Sequence, residues 1–128
     1  MAYFTPQGDP WLFRCRCGEP DCTAPPPAPE LLRRLEILRG RVGLPLRVTS
    51  GPRCPAYNES QGGVPDSTHL AGTAADLACP GSRLRWHLLA SNWLTSQPLF
   101  ERLGIGADFI HVDVSTRNPP RVIWHYYS

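Results

Sequence analysis

A chain of 128 residues, 41% of them apolar, is long enough for one domain with a real hydrophobic core. A formal charge of only +2 and scattered arginines leave no nucleic-acid footprint. No apolar run approaches the roughly 20 residues that a membrane span needs.

Residues 1–29 read as an irregular segment ahead of a domain covering 30–128. Its start, Met1 to Arg14, lacks the positive charge followed by an apolar stretch that marks a secretory signal. The expectation is a protein made in the cytoplasm, which would need separate delivery to any substrate beyond the membrane. Cys15, Cys17 and Cys22 crowd together here, while Cys54 and Cys79 lie further on. Without an export signal, three clustered cysteines suggest a structural metal more than a disulfide framework. A closed zinc site needs a fourth ligand; Cys54, Cys79 or a histidine could serve, and free thiols are the plain alternative. The run Ala24-Pro25-Pro26-Pro27-Ala28-Pro29 lacks the backbone donors of a helix interior or a central strand. It reads as an extended connector wrapped on the main body.

From Glu30 to Val42 the spacing of Leu31, Leu32, Leu35, Leu38 and Val42 predicts a helix with one apolar face. Pro29 suits its first turn, Glu30 suits the positive end of its dipole, and Gly40 and Gly43 are expected to end it. Leu46 to Thr49 reads as a short strand broken by Ser50-Gly51-Pro52. Arg53 to Leu70 reads as a long polar loop, a feature that usually carries function when it occurs in a compact domain. A strand over Gly72 to Ala78 follows. A second helix over Ser82 to Leu94 takes its apolar faces from Leu84, Leu88, Trp86 and Trp93. Strands over Phe109 to Val114 and Arg121 to Tyr127 are joined by a turn at Asn118-Pro119-Pro120. Two helices beside a small, mostly antiparallel sheet make an α+β domain.

Two segments carry chemistry. In Ser67-Thr68-His69-Leu70-Ala71-Gly72-Thr73-Ala74-Ala75-Asp76-Leu77, a histidine precedes an aspartate across small residues that allow a tight turn. If the second half is a strand, Asp76 shares a face with Ala74 and Ala78, and a carboxylate among apolar neighbours needs a partner or a metal. In Asp108-Phe109-Ile110-His111-Val112-Asp113-Val114, strand alternation puts Phe109, His111 and Asp113 on one face and the aliphatic residues on the other. Two histidines and a carboxylate form an ordinary ligand set for catalytic zinc, with water in the fourth position. Singly, each residue also has a structural reading: a hydrogen-bonded histidine, a turn-capping aspartate, a salt-bridge partner.

The run Ser50-Gly51-Pro52-Arg53-Cys54-Pro55-Ala56-Tyr57-Asn58, then Gly62-Gly63, then Ser67 to Leu77, then Phe109-Ile110-His111-Val112-Asp113, resembles the zinc D-Ala-D-Ala carboxypeptidase family over about Leu31 to Trp124. That family includes cell-wall carboxypeptidases, dipeptidases and phage endolysins, and shares the fold of the Hedgehog signalling domain. The resemblance implies that His69, Asp76 and His111 hold one catalytic zinc; a second, structural zinc at the cysteine cluster stays open on cysteine spacing alone. It implies that Asp108 is the general base, that Arg53 steadies the substrate carbonyl and the developing oxyanion, and that Ser67 helps to shape the site. Asp113, two residues beyond His111, is expected to support the ligands. Asp108 and His111 would lie on opposite faces of a regular strand, so Asp108 must sit at a bend or just before it, which Gly104 and Gly106 allow. Proline at position 52 stands where relatives commonly carry an aromatic. The Cys15-Arg16-Cys17-Gly18 stretch lies outside the core motifs. Trp124, Tyr126 and Tyr127 read as sheet packing, with a groove lining as the alternative.

The function so implied is hydrolysis of peptide bonds in the peptidoglycan stem peptide, as a D,D-carboxypeptidase or an endopeptidase, by a monomer with no nucleic-acid partner and no membrane span. A non-catalytic zinc-binding module of a phage tail or similar assembly is the alternative, and a hydrolase of non-wall peptides is a weaker one. Arg53 and Asp108 together discriminate, because a binding module has no use for both.

Overall fold

The structure, a computed structural model, describes residues 15–19, 22–44, 46–63, 67–94, 97–116 and 122–125. Among these residues three helices, α1 (Pro29–Val42), α2 (Pro55–Ser60) and α3 (Ser82–Asn92), accompany five strands, β1 (Val48–Ser50), β2 (Ala74–Ala78), β3 (Arg102–Ile105), β4 (Phe109–Asp113) and β5 (Val122–His125). The strands form one sheet in the order β1-β2-β4-β3-β5. Every pairing is antiparallel except that of β3 with β5. The α+β class read from the sequence is the class observed.

The sheet divides the molecule by side-chain alternation. One face carries Val48, Ala75, Leu77, Leu103, Ile110 and Val112, which pack with Leu31, Leu35 and Leu38 of α1 and Leu88 of α3 into the core. The other face carries Asp76, His111 and Asp113, and all three are buried. The helix α1 begins with Pro29 in its first turn, and its Glu30 accepts hydrogen bonds from Arg33 and Arg34. Its end is set by Gly43, whose φ of 74° lets its N–H reach the Arg39 carbonyl; Gly40 lies inside the helix rather than at its end.

Other sequence expectations are corrected or extended. The stretch from Arg53 to Leu70 is not structureless: it contains α2 and a 3-10 turn at Thr68–Ala71. Pro55 in the first turn nucleates α2, and Ser67 caps the 3-10 turn by accepting the N–H of His69. The strand β3 was unforeseen, because Arg102-Leu103-Gly104-Ile105 is too short and too glycine-broken to stand out by pattern. Trp86 and Trp93 are 70% and 39% exposed, so the apolar contribution of α3 comes from Leu84, Leu88 and Leu89. The first strand begins two residues later than expected, at Val48. The turn at Asn118-Pro119-Pro120, together with Arg121, Tyr126 and Tyr127, lies outside the described residues. Among the described residues no helix is long and apolar enough to cross a membrane.

The connector before α1 lies against the body. Ala28 donates its backbone N–H to the Gly72 carbonyl at 2.8 Å, and a Cβ at Gly72 would stand 2.4 Å from the Pro26 carbonyl oxygen.

Candidate metal centre

Three elements bring the site together on the sheet face opposite the core. The 3-10 turn presents His69, β2 presents Asp76 and β4 presents His111, which stands directly across the ladder from Asp76. One ligand atom from each of these residues lies within 4.8 Å of the others. Asp76 Oδ1 stands 3.3 Å from His69 Nε2 and 3.0 Å from His111 Nδ1. The two rings meet edge to face with centroids 5.0 Å apart.

The outer nitrogen of each ring is also engaged. His69 Nδ1 donates to the Gly51 carbonyl at 2.8 Å, and His111 Nε2 lies 2.9 Å from Asp113 Oδ2. A neutral imidazole carries one N–H, yet both nitrogens of both rings face oxygen acceptors. A cation bound between the rings would take the place of their inner protons. His69, His111 and Asp76 would hold a divalent ion there, with the outer N–H groups kept by Gly51 and Asp113. This donor set, two imidazoles and one carboxylate, suits zinc.

Electrostatics follow from the same contacts. Burial disfavours the Asp76 carboxylate, but hydrogen bonds from His111 and His69 outweigh it and hold Asp76 well below the usual carboxylate range. Burial disfavours charge on His111, but Asp113 and Asp76 on either side raise its pKa. Asp113 is opposed by burial and lowered by His111, by the Ser115 backbone N–H and by Arg102. Arg102 donates to Asp113 Oδ1 at 2.8 Å.

Arg53 closes one side of the centre. Its guanidinium reaches Ser50 Oγ at 3.0 Å, Asn58 Oδ1 at 3.2 Å and Asp76 Oδ2 at 3.4 Å, and its backbone N–H meets the His69 carbonyl at 3.0 Å. Gly63 is part of this device, since a Cβ there would fall 2.1 Å from Asn58 Oδ1. Asp108 lies just before β4, in the turn closed by the Gly106 N–H to Phe109 carbonyl bond of 2.9 Å, and is exposed. Its own carbonyl accepts the Cys79 N–H at 2.7 Å. Arg53, Asp76, Asp108, Ser50, Tyr57 and Arg47 line one groove, so Asp108 and Arg53 face a common space beside the ligand carboxylate.

The chain matches the family model for peptidase M15 over residues 2–113. It belongs to the peptidase M15 family. That is the zinc D-Ala-D-Ala carboxypeptidase family, and membership implies zinc metallopeptidase activity. The M15 match reaches back through the cysteine segment, further than the motifs quoted from the sequence. No curated protein matches the chain.

Several contributors to this M15 centre escaped sequence reasoning. Thr68 places its hydroxyl 3.4 Å from His111 Nε2 and 3.5 Å from Asp113 Oδ2. Arg102 pairs with Asp113 from β3. Gly104 stands between His111 and Trp124 in the ladder, and with no side chain there the two rings approach to 5.3 Å. Trp124 thus shares the face of the metal centre and also lies 5.2 Å from the Arg102 guanidinium carbon. The signal for Thr68 was its place beside His69; Arg102 had none, and Gly104 was read only as allowing a bend near Asp108, because β3 itself was missed.

Proposed function

We propose that this M15 peptidase hydrolyses peptide bonds in the stem peptide of peptidoglycan, as a D,D-carboxypeptidase or an endopeptidase. The observation that carries the reading is the groove in which Arg53 and Asp108 stand beside Asp76, with His69 and His111 behind it. When bound, zinc supplies a Lewis acid and a water acidic enough to lose its proton near neutral pH. The Asp108 carboxylate, exposed on the hairpin turn and lining the groove, would serve as general base and then as general acid toward the leaving amine. The Arg53 guanidinium, held by Ser50 and Asn58, meets the negative charge that grows on the substrate carbonyl oxygen. Asp113 and Gly51 fix the two imidazoles, and Ser67 fixes the turn that carries His69. A groove lined by Arg47, Arg53, Tyr57 and Gln61 suits a short polar peptide bearing carboxylates. Access to the wall through a phage-type lysis system or another delivery route belongs to the same proposal, as does action as a monomer.

The test is incubation with purified peptidoglycan fragments, with and without a chelator, and identification of the products by mass. Chelator-sensitive release of D-Ala or cleavage of a cross-link is expected, and the product names the bond. Asp108→Ala should keep its zinc and lose about 10²–10⁴-fold in kcat. Arg53→Ala should lose about 10²–10³-fold. Full zinc occupancy with no cleavage of any fragment by the unaltered protein would overturn the reading in favour of a non-catalytic module.

A further inference from the structure

Four cysteines from two distant parts of the chain meet at the start of α2. Cys15, Cys17 and Cys22 come from the N-terminal segment, and Cys54 is the residue that precedes α2. Their four sulfurs all lie within 4.8 Å of one another. Cys15 Sγ and Cys54 Sγ are 3.7 Å apart. A disulfide would need about 2.05 Å, and all four cysteines are free thiols. A zinc–sulfur bond of about 2.3 Å gives a tetrahedron with edges of about 3.8 Å. The observed spacing is that of sulfurs around an ion, not of sulfurs joined to each other.

Backbone N–H groups point at the cluster. The Cys54 N–H donates to Cys15 Sγ, the Glu19 N–H to Cys17 Sγ and the Ala24 N–H to Cys22 Sγ, each at 3.4 Å. Three of the four sulfurs therefore accept a backbone hydrogen bond. Gly18, at φ 78°, makes the turn that brings the Glu19 N–H back onto Cys17. Cys79, the one remaining cysteine, is not in the group; its thiol approaches the Gly81 carbonyl instead.

We infer that Cys15, Cys17, Cys22 and Cys54 form a closed tetrathiolate site for a structural zinc ion, separate from the catalytic centre. Cys54 is the fourth ligand that the sequence left open. Binding displaces the thiol protons to solvent and needs no oxidant. A four-sulfur site has no open position for water, so its role is to fasten. It ties the first part of the chain to the start of α2, one residue after Arg53. The N-terminal cysteines are thereby fixed to the body next to the residue that faces the substrate groove.

The full chain, purified under reducing conditions with added zinc, should contain about two zinc ions. The double variant His69→Ala/His111→Ala should retain about one, and Cys17→Ser/Cys22→Ser should retain the other. The second measurement does not depend on how these variants fold. Cobalt added to the metal-stripped unaltered chain should give the intense near-ultraviolet thiolate-to-cobalt band of a tetrahedral sulfur site, which nitrogen and carboxylate ligands do not produce. One zinc per chain with no such cobalt band would overturn the inference, as would disulfides among these four cysteines in protein purified without oxygen. Either result would leave the histidine centre and its proposed peptidase activity untouched. Conversely, a chain that cuts no peptidoglycan fragment would still show the sulfur band.

Discussion

Asp113 holds the outer nitrogen of His111 and is itself held by Arg102 and the Ser115 N–H. An acceptor behind a ligating imidazole orients the ring and raises its basicity. Asp113→Asn keeps the shape and removes the charge, and it should weaken zinc binding at the histidine centre by about 10–100-fold, read by competition with a chromogenic chelator. Unchanged affinity would show that the ring is positioned by its neighbours alone. Two imidazoles and a carboxylate could be picked out as chemistry-bearing from strand alternation and the oddity of a buried acid. Their partners could not: Gly51 contributes only a backbone carbonyl, which has no side-chain signature.

At the scale of elements, α3 reaches across to the turn that carries Asp108. Arg85 donates to the Gly106 carbonyl at 2.9 Å and to the Ala107 carbonyl at 2.7 Å, while the Cys79 N–H holds the Asp108 carbonyl from the end of β2. The turn is therefore fixed from two sides, and Arg85 acts as a positioning residue. Arg85→Ala should lower kcat, leave zinc content unchanged, and recover part of the activity as Arg85→Lys; loss of zinc together with activity would point to general unfolding instead. A second clip joins the end of α3 to the approach to β3: buried Asn92 accepts the Phe100 N–H at 2.8 Å and donates to the Phe100 carbonyl at 3.1 Å. Asn92→Ala leaves two buried backbone groups unpaired and should cost about 1–3 kcal/mol for each, measured by denaturant unfolding. The helices α1 and α3 were legible because their leucines repeat at helical spacing. The helix α2 was not, because a six-residue polar helix has no apolar periodicity and is marked only by Pro55.

For the whole molecule, the buried charges make stability depend on pH in a way that metal removal exposes. In metal-free protein the raised pKa of His111 contributes stability that is complete below the unfolded value of about 6.5 and is lost as pH rises through the folded value. The lowered pKa values of Asp76 and Asp113 contribute stability present above about 3.9 and lost as pH falls through the folded values. Chelated protein should therefore be less stable at pH 7.5 than at pH 5.5, compared by urea unfolding. Zinc reverses the trend, because its ligands must be deprotonated, so its stabilisation grows with pH. Metal-free His111→Gln should lose the decline above pH 6.5. A decline of equal size in that variant would assign it to other groups.

What the sequence determined by itself was local: the apolar stripe of α1, the alternation that sends Ile110 and Val112 to the core and His111 and Asp113 away from it, and the glycines and prolines that break the elements. These follow from periods of 3.6 and 2 residues, which any short window contains. Tertiary structure alone decided which distant residues became neighbours. Asp76 faces His111 because β2 and β4 pair in one register, and a slip of one residue would turn both away from each other. Cys54 joins the N-terminal cysteines because the connector folds back along Gly72, and Arg102 finds Asp113 because a strand with no pattern of its own completes the sheet. Contacts across such separations depend on how the chain closes its loops, which residue spacing does not encode.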